Sequence, residues 1–255
     1  DYAKKKNLIF FSTPLDNRSA EFLKNIQNIF KIASSDNNYF KFIEKIANYN
    51  KDIIVSTGLS DIKLLKKIEK IILKIWKKKK IKKNLIFTHC VSSYPTNFEN
   101  SNIGAIKTLQ KKFPKRIIGY SDHTIGIDAC LIAATLGAKV IEKHFTIDNN
   151  YSKFRDHKLS ANPKQMKILV ERIRDLDKMM KLNAKKILPC EKSVLKTCRR
   201  FLAAGQNLHK NTVLTEDNII GVRSSNGISV SSIKDVINKK TKKSLILGEI
   251  INKTD

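Results

Sequence analysis

The sequence predicts an α/β chain in which a parallel sheet wrapped by helices is followed by a small β-rich domain. Three observations carry this. Short runs rich in Ile, Val, Leu and Phe recur up to about Met180 without strict alternation, as in strands covered on both faces. Amphipathic stretches lie between them. After Met180 the helical rhythm stops and shorter β-like runs take over.

The strand-like runs are Asn7–Phe11, Phe30–Ala33, Asp52–Ser56, Asn84–Cys90, Arg116–Tyr120 and Lys139–Phe145. Of the helical stretches, Arg18–Asn28 places Ala20, Leu23, Ile26 and Gln27 at helical offsets. Asp61–Lys77 gathers Ile62, Leu65, Ile68, Ile71, Ile72 and Ile75 on one side, with Lys on the other. The Lys run at 77–80 and 82–83 then falls at a helix end, where cations suit the dipole. Ile125–Leu136 and Pro163–Met180 complete the set, with Pro163 suited to a first turn. Six β–α units of roughly 20–35 residues require crossover connections, and hence parallel strands.

Residues 1–182 form the α/β part. Residues 183–196, with Pro189, read as a linker. Residues 197–255 read as the β-rich domain, with strands at Arg199–Ala204, Val213–Leu214 and Ile219–Arg223. Thr215–Asn218 resembles a capped turn. A last β pattern covers Ser244–Ile251, with a turn at Gly248 and Glu249.

Composition narrows the function. Of 255 residues, 41% are hydrophobic, enough for a core and too many for general disorder. No run approaches the ~20 apolar residues of a membrane helix. The longest, Ala129–Ala138, is interrupted by Thr135 and Gly137. The first residues lead into no secretory signal core. The net charge of +27 invites a nucleic-acid reading. Yet 42 of the 50 basic residues are Lys and only eight are Arg, beside 35 Ile. Arg is the side chain suited to bidentate phosphate and base contacts. Aromatics are 7%, with no stacking cluster. The charge therefore reads as a solvated Lys-rich face, and neither nucleic acid nor membrane is expected as a partner. Cys90, Cys130, Cys190 and Cys198 form no CxxC pair and read as free thiols of a reducing, cytoplasmic compartment. Cys90 and Cys130 read as small core residues.

Active sites of parallel β/α folds form at the C-terminal ends of the strands. Here those ends are Ser12-Thr13-Pro14, Lys31 to Ser35, Ser56-Thr57-Gly58, His89-Cys90 with Tyr94-Pro95, Ser121 to Thr124, and Glu142-Lys143-His144. This convergence of hydroxyls, Lys and His points to an enzyme. His123 and His144 close consecutive strands, which lie about 4.8 Å apart. They read either as a divalent-metal pair with open positions or as two independent rim residues. His89 reads as turned into the wall, His157 as a loop residue and His209 as plain surface. Lys31 with Thr13, Ser34, Ser56 and Ser121 would make a cationic, hydroxyl-rich pocket for a phosphate or carboxylate. Taken singly, each hydroxyl reads as a helix cap.

Gly119-Tyr120-Ser121-Asp122-His123-Thr124, followed by Gly137-Ala138 and Val140 to Phe145, resembles the sialic acid synthase family, which includes the legionaminate and pseudaminate synthases. Phe11-Ser12-Thr13-Pro14, Lys31 to Ser35, Ser56-Thr57-Gly58, His89 to Ser92 with Tyr94-Pro95, and Asp156 to Ser160 match as well. Arg199-Arg200, Leu214 to Asn218 and Val222 to Gly227 resemble the family's C-terminal antifreeze-like (SAF) domain. The resemblance implies a TIM (β/α) barrel followed by an SAF domain. It implies metal-dependent condensation of phosphoenolpyruvate with an N-acylmannosamine-type sugar aldehyde, releasing phosphate. It further implies His123 and His144 as ligands of Mn or Mg, with Glu142 in the catalytic set. Thr13, Lys31, Ser34, Ser56 and Ser121 would hold phosphoenolpyruvate, and Ser92, Tyr94 and Glu142 the sugar. Arg223 would reach the N-acyl group in the partner's site of a domain-swapped homodimer.

The chain departs from the family pattern in three places. It supplies six strand units where the barrel has eight, so the first two, with an acidic residue and a Lys, are expected upstream. The 255-residue chain alone is then expected to be poorly folded and inactive, with an open first edge. Ser92 stands where N-acetylneuraminate synthases often have Asn. Val222 and Ser224 replace the more usual Lys and Pro around Arg223. The competing enzyme reading is a metal-dependent aldolase or lyase on the same barrel, and the non-enzyme reading is a basic nucleic-acid-binding protein.

Overall fold

The computed structural model describes residues 2–153, 156–181 and 184–255. It divides into two compact units at residues 182 and 183. The first begins with a short helix α1 (Tyr2–Lys5) and α2 (Asn17–Leu23), the latter capped by the Asp16 carboxylate. Strands β1 (Ile29–Ile32), β2 (Asp52–Ser56), β3 (Leu85–Cys90), β4 (Ile117–Asp122) and β5 (Ile141–Lys143) then alternate with helices. The helices are α3 (Phe40–Ala47), α4 (Ile62–Lys79), α5 (Ala105–Lys112), α6 (Asp128–Thr135) and α7 (Pro163–Met179).

All four strand pairings are parallel and the spatial order is β1-β2-β3-β4-β5. Strands that follow one another in space as in sequence, joined by crossovers of one hand, put every helix on the same face. That is half of a β/α barrel rather than a doubly wound sheet, whose order reverses. The side chains agree. Phe30, Ile32, Ile53, Val55, Leu85, Phe87, Ile118 and Tyr120 share a core with the inward stripes of α3, α4, α5 and α6. Their alternate neighbours Lys31, Ile54, Ser56, Ile86, Thr88, Cys90, Gly119, Ser121 and Glu142 lie on the other, open face. On that face Gly119 is required by close approach, since a Cβ there would come within 2.6 Å of the Val140 carbonyl oxygen and 2.9 Å of Thr88 Cγ2.

The expected first strand, Asn7–Phe11, is a correction. It pairs with no strand, and Leu8, Ile9 and Phe10 are exposed. A strand needs a partner ladder. Here the Asn7 and Leu8 N–H groups turn back to the Lys4 and Ala3 carbonyls of α1, and the buried Gln27 amide exchanges two hydrogen bonds with the Ser12 backbone just beyond the run. Among the described residues, five strands therefore form this sheet where six were expected. Past β5, a single parallel bridge joins Phe145 to Ala161. Helices α3 and α5 were not foreseen. Helix α4 starts at its Asp61 cap and ends with Lys77, Lys78 and Lys79 in the last turn. Asn162 and Gln165 form a capping box at α7, with Pro163 in the first turn.

In the second unit a helix α8 (Lys192–Cys198) precedes an antiparallel pair, β6 (Arg200–Ala204) and β7 (Ile219–Arg223). Thr215–Asn218 is a turn closed by Asn218 Oδ1 accepting from the Thr215 N–H. The last β pattern, Ser244–Ile251, forms isolated bridges at Leu245 and Ile250 rather than a ladder, on either side of the expected turn, where Gly248 has φ +82°. Leu202, Ala204, Leu208, Leu214, Ile219, Val236, Leu245 and Ile251 make its separate core. No helix among the described residues is long and apolar enough to cross a membrane.

Candidate active site

The open face carries the site because register stacks its polar residues. Cys90, Ser121 and Glu142 are direct neighbours across β3, β4 and β5. Ser56 and Thr88 are neighbours across β2 and β3, with hydroxyls 3.4 Å apart. Lys31 reaches across the face to Glu142, with Nζ 2.9 Å from Oε1. The cation expected to meet a substrate anion is thus held by a carboxylate that a ligand could displace.

His123 and His144 follow β4 and β5. Their rings are 5.2 Å apart between centroids, nearly edge to face, and Tyr94 lies over His123 at 4.1 Å. His123 Nδ1 is 2.8 Å from the Val91 carbonyl oxygen. A carbonyl only accepts, so Nδ1 carries a proton, and in the neutral ring Nε2 keeps its lone pair. His144 Nδ1 lies 3.5 Å from Asp156 Oδ2. Anchoring one ring nitrogen and leaving the other available is how metal-binding imidazoles are prepared, so both side chains fit a divalent ion. No cluster of three or more His, Cys, Asp or Glu placed to hold a metal occurs among the described residues. Burial, reinforced by His123, pulls the His144 imidazole below its ordinary value, favouring the neutral form a metal needs. At His123 burial acts in the same sense, but the contacts with Cys90 and the Val91 carbonyl more than offset it and raise the net value.

Gly58 lets two hydroxyls converge. A Cβ there would meet Ser92 Oγ at 2.3 Å and Ser34 Oγ at 2.6 Å. Ser34 Oγ donates to Cys90 Sγ at 3.6 Å, whereas Ser92 Oγ is buried with no partner among the described residues. Ser92 and Cys90 line a cavity of about 800 Å³.

Of the residues singled out in the sequence, Lys31, Ser34, Ser56, Ser92, Tyr94, Ser121, His123, Glu142 and His144 therefore share one face. Thr13 does not join them by any hydrogen bond or ion pair. It lines a separate groove with Ser12, Asp16 and Arg18. Arg223 ends β7 in the second unit and is exposed. His89 points to the helix side, stacked on Tyr120 and bonded to the Ser101 carbonyl. His157 is held by Thr146 Oγ1 at 2.8 Å, and His209 is exposed. Cys90 is buried, as expected of a core residue, but on the site face, 3.9 Å from His123 Nδ1. Asp156, a loop residue in the sequence, lies beside His144, a placement that the sequence does not predict.

An open parallel sheet with paired imidazoles, a lysine and hydroxyls at its strand ends has the layout of a β/α-barrel enzyme. Residues 1–185 match the model of the NeuB family, and the chain belongs to that family. It is 37% identical over 251 residues to the N,N'-diacetyllegionaminic acid synthase of Campylobacter jejuni, covering 98% of this chain and 74% of that protein. It is 41% identical over 249 residues to an uncharacterized protein of Methanocaldococcus jannaschii, covering 95% and 70%. The crystal structure of the N-acetylneuraminic acid (sialic acid) synthetase from Leptospira borgpetersenii superposes with a TM-score of 0.67 at 36% identity, over 76% of this chain and 65% of that one.

Proposed function

We propose that this chain is a nonulosonate synthase of the sialic acid type. It condenses phosphoenolpyruvate with the open-chain aldehyde of an N-acylmannosamine-type sugar and releases inorganic phosphate. The observation that carries the reading is the convergence of His123, His144, Lys31 and Glu142 on one strand-end rim, in a chain whose relatives include named synthases of such acids.

His123 and His144 would hold a divalent ion, Mn or Mg, through Nε2. Such an ion supplies Lewis-acid polarisation of the sugar aldehyde oxygen. Lys31 holds the charge of the phosphate or carboxylate, exchanging Glu142 for the ligand. Ser34, Ser56 and Ser121 donate hydrogen bonds to the same anion. This fixes C3 of the enol facing the aldehyde carbon, and a new C–C bond forms between them. Water supplies the oxygen added at C2, the C–O bond to phosphate breaks, and the aldehyde oxygen ends as a protonated hydroxyl. Ser92 and Tyr94 lie on the sugar side, and Glu142, once released from Lys31, is free to accept from a sugar hydroxyl. Thr13 would complete the phosphoenolpyruvate site only by moving from its own groove. The second unit is read as an SAF-type domain of a cytoplasmic, domain-swapped homodimer, its exposed Arg223 reaching the N-acyl group in the partner's site.

The test is phosphate release by the intact gene product. Release is expected only with phosphoenolpyruvate and an N-acetylated or diacetamido mannosamine-type sugar present together, and only with Mn or Mg. Sugar cleavage without phosphoenolpyruvate would favour an aldolase or lyase instead. A His123→Ala enzyme that keeps full activity would remove the metal assignment.

A further inference from the structure

Asp122 and Lys143 are partners in the last rung of the β4–β5 ladder. Each immediately precedes one of the paired histidines. Because successive strand residues point to opposite faces, the two charges lie on the helix side while the imidazoles lie on the open side. Lys143 Nζ is 2.6 Å from Asp122 Oδ2, with Lys143 1% and Asp122 0% exposed. The same Nζ donates to the Thr124 carbonyl oxygen. One ammonium therefore binds the residues on both sides of His123, from the residue just before His144. Asp122 is held in turn by the Tyr120 hydroxyl at 2.9 Å, the Thr124 N–H at 2.9 Å, the Thr124 hydroxyl at 3.2 Å and the Cys130 thiol at 3.4 Å. Nothing in this network faces the open side, so it touches no substrate.

We infer that the buried Asp122–Lys143 pair is a positioning clamp that fixes the spacing of His123 and His144. The strand itself does not suffice, since β5 is three residues long and its ladder stops at Lys143. An apolar pair at these positions would keep the backbone ladder but lose the side-chain tether from Lys143 to Asp122 and to the Thr124 carbonyl beyond His123. The inference rests on the metal-pair reading above.

The experiment titrates Mn(II) into the intact gene product, reading free Mn(II) by electron paramagnetic resonance and folding by thermal melting. The double variant Asp122→Leu/Lys143→Met removes both charges, which buried pairs often tolerate in stability. The Tyr120 hydroxyl and the Thr124 N–H lose their acceptor in this variant, so its melting temperature should fall while unfolding stays cooperative, and the clamp predicts Mn(II) binding weaker by about tenfold or more, the scale of outer-shell losses at metal sites. Equal Mn(II) affinity in the double variant overturns the clamp. Should the double variant not fold, Tyr120→Phe decides. It removes one donor to Asp122 and keeps the ring, and it should weaken Mn(II) binding several-fold with melting unchanged. Unchanged affinity there again overturns the clamp. If the natural protein binds no Mn(II), or His123→Ala binds it equally well, the metal reading falls and takes the clamp with it.

Discussion

Glu142 and Lys143 are neighbours on β5 and each forms an ion pair, yet the two pairs are opposite in kind. Glu142 turns to the open face and meets Lys31 at 2.9 Å, the partners 36% and 17% exposed. Lys143 turns to the helices and meets Asp122 at 2.6 Å, with both essentially excluded from water. On the open face, water and an incoming anion can replace Glu142 around Lys31. On the helix face nothing can replace either partner. Burial alone would raise the Asp122 carboxyl, but Lys143, the Thr124 N–H and the Tyr120 hydroxyl together hold it below the ordinary carboxylate range. A single step along a strand thus separates a pair suited to exchange from a pair suited to holding geometry.

The largest effect should come from breaking the buried pair on one side only. Lys143→Met leaves the Asp122 carboxylate charged and without its main partner, at an expected cost of about 3–5 kcal/mol. Lys31→Met, which breaks the half-exposed pair the same way, should cost less than about 1 kcal/mol. Urea denaturation of the two variants side by side measures the difference. Equal losses would erase the distinction between the faces.

Gly119→Ala attacks the place where the faces are set against each other. The added methyl meets the Val140 carbonyl oxygen, which also accepts from the Tyr120 N–H at 2.8 Å. Backbone cannot give way as a flexible side chain would, so β4 must part from the segment entering β5. The expected loss is about 1–3 kcal/mol, read as a lower denaturation midpoint at unchanged m-value. Both ion pairs should weaken together, since both cross from β5 or its neighbour on the same ladder.

The readable part of the molecule follows from this two-faced strand. Strands β1 to β4 announce themselves as runs rich in Ile, Val and Phe, because even residues of the open face such as Ile54 and Ile86 are buried. The run at 7–11 has the same chemistry, but pairing is a property of two segments, and one segment's sequence cannot show whether a second pairs with it. Helices α3 and α5 are eight residues each, and neither Tyr39 nor Gly104 caps with its side chain, so no start signal marks them. The imidazoles, Lys31 and Glu142 were legible as strand-end polar groups. Asp122 and Lys143 sit among the same letters, but their role depends on which way each residue points. The available signal was that opposite charges recur at the same 21-residue spacing as the two histidines.

The smallest effect is the most discriminating. The chain carries a net charge of +27, so added salt should stabilise it generally by screening self-repulsion, and single variants will be blurred by that background. A double-mutant cycle subtracts it. For Lys31 and Glu142, the coupling at about 0.1 M sodium chloride should be within about 1 kcal/mol. It should fall toward zero at about 1 M, where the screening length shrinks to about 3 Å. For Lys143 and Asp122 the coupling should be several times larger and nearly the same at both salt concentrations, because no ions enter the space between them. Salt sensitivity of equal proportion in both cycles would mean that water reaches the inner pair, and that the helix side of β5 is no more closed than the side that carries Glu142.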